Sequence, residues 1–435
     1  MNYNKLFSLA KEKGISALSV TKSYSAEKSI SLFHGEISNY SINSSTNYAI
    51  RGIYNNKFGA IGTESDDVNF IVDEIIKNAK VIEKDEVAEI FKGSKSYKKR
   101  NYYSNELENW DLNEPIKKLF ELEKVLKQKD PRVIEVEVEF SLTSSENEIR
   151  NSYGLKLKEK SNYYTCFASV VVKDKDEIKD GFGYVISNDP KEFDINKIAD
   201  DAILDATSKL GGTTIKSKKY NAVLDYKAVA SLLNVFIGWA SAESVQKNSS
   251  RFIGKLNTQV ASKKLTISDM PLLKNIFARG FDDEGVATYN KKIIDKGVLK
   301  TFLHNLETAK KDGVQPTGNG FGSLNIGIDT TNLSIKPGKY SLDELLAKAG
   351  NGVYIKSVTG LHAGMNGRSG NFSLQAVGFV IENGIVSSPL KMMTVAGNVY
   401  DVFNSVAAVG KEQTITLGGT ISVPLLIKKL SVTSE

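Results

Sequence analysis

Along residues 132–140, Ile134, Val136, Val138 and Phe140 alternate with Glu135, Glu137 and Glu139. That period of two predicts a strand with one buried and one wet face. Shorter apolar clusters at Leu18 and Val20, at Ile30 and Leu32, at Ile37 and over 48–54 predict short strands. His34-Gly35 and Asn55-Asn56 supply their turns. Residues 148–152, 163–173 and 181–187 continue an antiparallel sheet. Between these runs the period changes to that of a helix. Over 63–80, Val68, Ile71, Val72, Ile75, Ile76 and Ala79 form a stripe behind a cap at Ser65 or Asp66. Residues 111–128 read as a helix with Ile116, Leu119 and Phe120 inward, and 194–210 as a helix closed by Gly211-Gly212.

The most apolar stretch is 228–244, uncharged from Ala228 to Ala242. Leu232, Val235, Phe236 and Trp239 share one helical face, widened by Leu233 and Ile237, so a buried helix is predicted. It carries two polar side chains inward, Asn234 and the indole of Trp239. Beyond it glycines and turns multiply. Hairpins are predicted over 291–302 and over 378–389, the second at Asn383-Gly384. Ser341 and Glu344 form a capping box, 398–408 reads as a last helix and 414–430 as two closing strands. The fold class expected is α+β: N-terminal antiparallel sheets with packed helices, then a mainly β, barrel-like C-terminal domain. The boundary is placed at 215/216, with the first part subdivided near 83–110.

Composition changes this picture little. The net charge of +6 is small for 435 residues and does not favour direct nucleic-acid binding. Basic residues interleave with tyrosines at Lys95, Lys98, Lys99 and Arg100, a pattern that suits single-stranded nucleic acid, although a solvated connector is the simpler reading. The lone cysteine, Cys166, excludes an intrachain disulfide and, within a strand, reads as a core residue. The N-terminal 14 residues lack the apolar core of a signal peptide, and no segment is apolar enough to span a bilayer. A cytoplasmic protein with no membrane association is expected.

Candidate chemistry is sparse. His34, His304 and His362 stand at no metal-binding spacing. Residues 317–322 have the glycines of a phosphate loop but not its Lys-Ser/Thr. Asp282, Asp283 and Glu284 are adjacent, and in extended backbone neighbours point apart, so salt bridging is expected before ion binding. The loop 360–371, GLHAGMNGRSGN, offers His362, Arg368 and Asn371 as a candidate surface for a peptide or a partner chain.

Several segments together resemble the TldD/PmbA proteins, the modulators of DNA gyrase. They are the helix at 228–244, FDDEG with its GVL hairpin, LETAKKDG, GMNGRSGNFSLQAVGFVIENG, MTVAGNVYDVF and, near the N-terminus, YAIRGIYNNKFGAIGT. The resemblance implies two kinds of subunit that pair into a protease for unfolded or short peptides. TldD-type chains carry His-Glu-x-x-x-His and a cysteine as zinc ligands; PmbA-type chains, also called TldE, lack them. Set on that motif by the flanking leucines and Gly238, this helix has Asn234 for the first His, Val235 for the Glu and Trp239 for the second His. Residues 416–418 contain no cysteine.

The resemblance therefore implies a PmbA-type subunit with no catalytic residue, no metal and no cofactor. Trp239 is expected to fill the pocket, and Asn234 to need partners inside the core. The implied partners are a zinc-bearing TldD-type chain and a peptide or unfolded protein, with a homodimer when alone. Two alternatives stay open. One is an autonomous hydrolase using His304 or His362 with the acidic cluster. The other is a regulatory or binding module linked to DNA gyrase.

Overall fold

The computed structural model describes residues 1–82, 89–99 and 102–434. Six strands form the first sheet: β1 (Ile15–Phe33), β2 (Glu36–Tyr54), β3 (Lys57–Thr63), β4 (Val133–Asn151), β5 (Lys156–Asp174) and β6 (Glu177–Ser187). Their order is β3-β2-β1-β4-β5-β6, antiparallel throughout. The β1–β4 pairing joins into one sheet what the sequence suggests as successive antiparallel pieces. The short strands expected at the N-terminus are instead 19 residues each in β1 and β2. Their middles are Ser/Asn-rich and exposed, as at 42–45, so side-chain alternation marks only their buried ends. The backbone ladder runs on regardless, because its hydrogen bonds need no apolar side chain.

Helices cover one face of this sheet. Val68–Lys80 is capped by Asp67, whose carboxylate accepts from the N–H groups of Asn69 and Phe70, rather than by Ser65 or Asp66. In Asn113–Lys129 the buried stripe is Leu119, Leu122 and Leu126, and Phe120 points outward. A bulge between Val133 and Glu135 turns Ile134 to solvent, while Val136, Val138 and Phe140 stay inside as the alternation predicts. Ile195–Thr207 lies directly on β6. A side chain at Gly183 would stand 2.0 Å from the Ile198 carbonyl oxygen, so glycine there permits the close approach.

The C-terminal half is built on a closed five-stranded barrel. Strand β7 (Lys218–Leu224) pairs in parallel with Gly352–Thr359 and antiparallel with Leu425–Ser434. Met393–Asn398 joins Leu425–Ser434 to Asn371–Glu382, which pairs with Gly352–Thr359 and closes the ring. The apolar stretch forms the central helix Tyr226–Gly238, whose Leu232, Leu233 and Phe236 share a core with Ile355, Val395 and Leu425 of the barrel. It stops earlier than expected. Trp239 is its C-cap, and after a turn Ala242–Gln246 is a separate helix. The expected last helix likewise shortens to Val399–Asn404, followed by strand Val406–Val409. The turn at Asn383-Gly384, with φ of 52° and 82°, and the Ser341–Glu344 capping box are as predicted.

The described residues of 83–110 are less solvated than the composition suggests. Tyr97 donates its hydroxyl to the Gly285 carbonyl at 2.7 Å, Ser94 Oγ accepts from Ala287 N–H at 3.0 Å, and Ile90 is buried. Lys95, Lys98 and Lys99 are exposed, and Arg100 lies outside the described residues.

Candidate functional site

The central helix presents one polar side chain to an open groove. Asn234 is exposed, and its Oδ1 accepts a hydrogen bond from Thr420 Oγ1 at 3.2 Å. Thr420 is itself buried within a tight turn. Its N–H donates to Thr416 Oγ1 at 3.2 Å, the Thr416 hydroxyl donates back to the Thr420 carbonyl at 3.2 Å, and Gly419 takes the φ of 79° that the turn requires. The groove beside this pair is a cavity of ≈ 300 Å³ bordered by Asn234, Gly238, Ser241, Asp329, Asn332 and Gly418. Through Asp329, Thr330, Asn332, Gly418 and Gly419 it adjoins a second cavity of ≈ 320 Å³. That second cavity reaches Ser145 of β4 and Glu159 and Lys160 of β5, so the depression runs from the central helix to the N-terminal sheet.

The wall at 329–332 is held by a buried ion pair. Lys291 Nζ lies 2.8 Å from Asp269 Oδ2, and both residues are buried. Asn319 donates to the same oxygen at 2.8 Å and to the Asp329 carbonyl at 2.7 Å; Thr331 N–H donates to Asp269 Oδ1 at 2.8 Å. The glycine-rich 317–322 loop is thus the carrier of a buried structural amide, as its lack of Lys-Ser/Thr suggests.

Two expectations are corrected here. Asn234 is not a core residue in need of buried partners: the last turns of the helix face the groove. Trp239 does not fill that groove. It is 2% exposed, its Nε1 donates to the Gly367 carbonyl at 2.7 Å, and its ring lies under Gly370. A Cβ at Gly370 would sit 2.6 Å from that ring. The helix ends one residue before Trp239, which lets the indole turn towards the 360–371 loop. Val235 is half-buried against the apolar core.

The candidate loop is tied down and lies apart from the groove lining. Arg251 donates to the Ser369 carbonyl at 2.7 Å, Arg368 Nη2 to the Asn248 carbonyl at 3.1 Å, and Asn398 Nδ2 to Asn371 Oδ1 at 2.7 Å. His362 is exposed on the short helix Leu361–Gly364. His362, Arg368 and Asn371 do not border the cavity at Asn234. The sequence reading missed Thr420, Asp329 and Asn332. Only the Thr416/Thr420 spacing around two glycines hinted at a turn there.

The acidic cluster divides its partners. Asp283 Oδ1 pairs with Arg279 Nη2 at 2.7 Å. Asp282 accepts from the N–H groups of Glu284, Val286 and Gly320, and Glu284 accepts from Leu306 N–H at 2.8 Å. Burial, then the neighbouring Glu284 charge, push the Asp282 carboxyl up to about 8 against those three donors. Burial raises Glu284 to about 7. Arg51, half-buried on β2, faces all three carboxylates, and desolvation lowers its pKa. Among the described residues no three His, Cys, Asp or Glu side chains are grouped to hold a metal ion. His304 is buried with its Nδ1 unpartnered, and burial lowers its pKa. Cys166 is fully buried, and burial pushes its thiol up.

Comparison with known proteins decides the family. The PmbA/TldA metallopeptidase C-terminal domain matches residues 217–434, and the central domain of the same family matches 105–210. This chain belongs to the PmbA/TldD family. A metalloprotease PmbA homologue of Buchnera aphidicola is 27% identical over 307 residues, 70% of this chain and 67% of its own. A Methanocaldococcus jannaschii metalloprotease is 26% identical over 411 residues, covering 91% and 90%. Among solved structures, a Thermotoga maritima chain named as a modulator of a DNA gyrase superposes with TM-score 0.92 and 32% identity over 99% of each chain. TldE of Thermococcus kodakarensis, 24% identical with TM-score 0.90 over 99% and 100%, shares the fold.

The family implies zinc, and the donor set at the motif does not fit it. Zinc takes imidazole, thiolate or carboxylate. Asn234 offers an amide oxygen already engaged by Thr420, Val235 offers no donor atom, and the Trp239 indole has only an N–H, which is spent on Gly367.

Proposed function

We propose that this chain is the non-catalytic, PmbA/TldE-type subunit of a zinc-dependent peptidase acting on short or unfolded peptides in the cytoplasm. Its partner is a TldD-type chain that supplies metal and general base. The observation that carries this is the Asn234–Thr420 hydrogen bond. Helix and C-terminal turn still converge at the motif, but an amide and a hydroxyl meet there instead of ligands. Val235, aliphatic, has no proton to take or give. The division near residue 215 belongs to the proposal: the N-terminal part frames the groove and the barrel part carries the altered motif. Without its partner the chain is expected to self-associate.

The test is metal content and peptide cleavage by the purified chain, alone and mixed with a TldD-type chain from the same cell. Metal-free, inactive protein that forms an active complex is the expected result. Stoichiometric zinc with cleavage by the chain alone would overturn it. The autonomous hydrolase gains nothing from the geometry, since His304 is enclosed beside Thr317 while His362 is exposed on the loop held by Trp239.

A further inference from the structure

The groove at Asn234 has the makings of a binding site in its own right. Thr420 donates to Asn234 Oδ1, so the amide is oriented with Nδ2 outward, and among the described residues Nδ2 has no protein partner. The side chain is exposed, whereas Thr420, whose hydroxyl orients it, is buried and has its main-chain N–H and carbonyl held by Thr416. A donor fixed in this way loses little freedom on meeting an acceptor.

The rest of the lining narrows the ligand class. Around Asn234 stand neutral hydrogen-bonding groups: Ser241, Thr330, and the backbone at Gly418 and Gly419. Ile237, Leu303 and Ile328 add apolar surface in the first cavity, and Phe277 and Phe321 in the second. Charges are few and mixed, with Asp329, Glu159, Lys160 and Arg279, and Arg279 is neutralised by Asp283. A nucleic acid needs a positive track, and the described lining residues form none. An extended polypeptide offers what this lining can use: uncharged carbonyls and amides along the chain, with side chains that alternate into small apolar recesses.

We propose that the degenerate motif is itself a peptide site. Asn234 Nδ2 donates to a main-chain carbonyl of an extended, uncharged polypeptide segment that runs from the central helix across 329–332 towards Glu159 and Lys160. Thr420 is the positioning residue that fixes the amide. The inference rests on the reading above for the class of substrate, and it adds that this chain binds that substrate without its partner.

The test is fluorescence anisotropy of the purified chain with a labelled, unstructured decapeptide of Ala, Leu and Ser, blocked at both ends. Binding is expected, weakened about tenfold in N234L, where one hydrogen bond is lost and the groove narrowed. T420V, which frees the amide to rotate, is expected to weaken binding several-fold. Melting temperatures near wild type show that both variants fold. Absence of binding by the wild type, equal binding by N234L, or binding only by a peptide with a free end overturns the inference. If wild type binds and N234L does not, yet a TldD-type chain leaves the mixture inactive, the functional reading falls and this one stands.

Discussion

Trp239 shows how a single side chain can be given a role by its neighbours. Where the family resemblance would set a metal ligand, Trp239 acts as a strut, with its indole N–H on the Gly367 carbonyl and its ring beneath Gly370. Trp239→Ala is expected to destabilise the chain by about 3–5 kcal/mol, the usual range for a buried aromatic truncated to alanine, read from chemical denaturation. Gly370→Ala is expected to destabilise it too, because φ of 77° disfavours a side chain and the new methyl would strike the ring. Cys166 makes a contrasting case. Fully buried with a raised pKa, it is expected to resist a thiol reagent in native protein and react only after unfolding. Prompt native-state labelling would contradict that.

At the scale of elements, alternation and helical spacing found most of the buried faces. They failed where side chains are silent about backbone. The polar middles of β1 and β2 look like loops in sequence and are ladder, and Ile134 looks inward and is turned out by a bulge. The groove wall at 329–332 was equally illegible, since its support comes from Asp269, Lys291 and Asn319, distant in sequence. Removing one member tests that support. Lys291→Met leaves the fully buried Asp269 uncompensated and is expected to cost about 3–5 kcal/mol. Asp269 anchors Thr331 directly and Asp329 through Asn319, so disturbing its charge should weaken peptide binding in the groove as well. A variant of wild-type stability would remove the anchoring role.

For the whole molecule, the carboxyl groups of buried Asp282 and half-buried Glu284 link stability to pH where the two halves meet, with Arg51 of the first sheet donating to the Asp283 main-chain carbonyl and Arg279 paired with the Asp283 carboxylate. Asp282 at about 8 and Glu284 at about 7 both lie above their unfolded values of 3.8 and 4.5. The folded chain therefore holds protons that the unfolded chain releases, and stability from these groups is present below about pH 4 and lost as pH rises through 7 to 8. Urea midpoints measured from pH 5 to 8.5 are expected to fall, and Asp282→Asn is expected to flatten that fall. A wild-type midpoint that rises over the same range would show that the three backbone donors to Asp282 outweigh burial.

Sequence alone determined the α+β class, the apolar helix, the principal turns and the absence of zinc-type donors at 234, 235 and 239, because each depends on residue identity or local period. Tertiary structure alone decided that the barrel closes, that Asn234 meets Thr420 across 186 residues, and that Trp239 turns away to leave a groove beside them. Those outcomes depend on where a helix stops and which distant backbone lies next to it, and no local pattern of side chains encodes that distance.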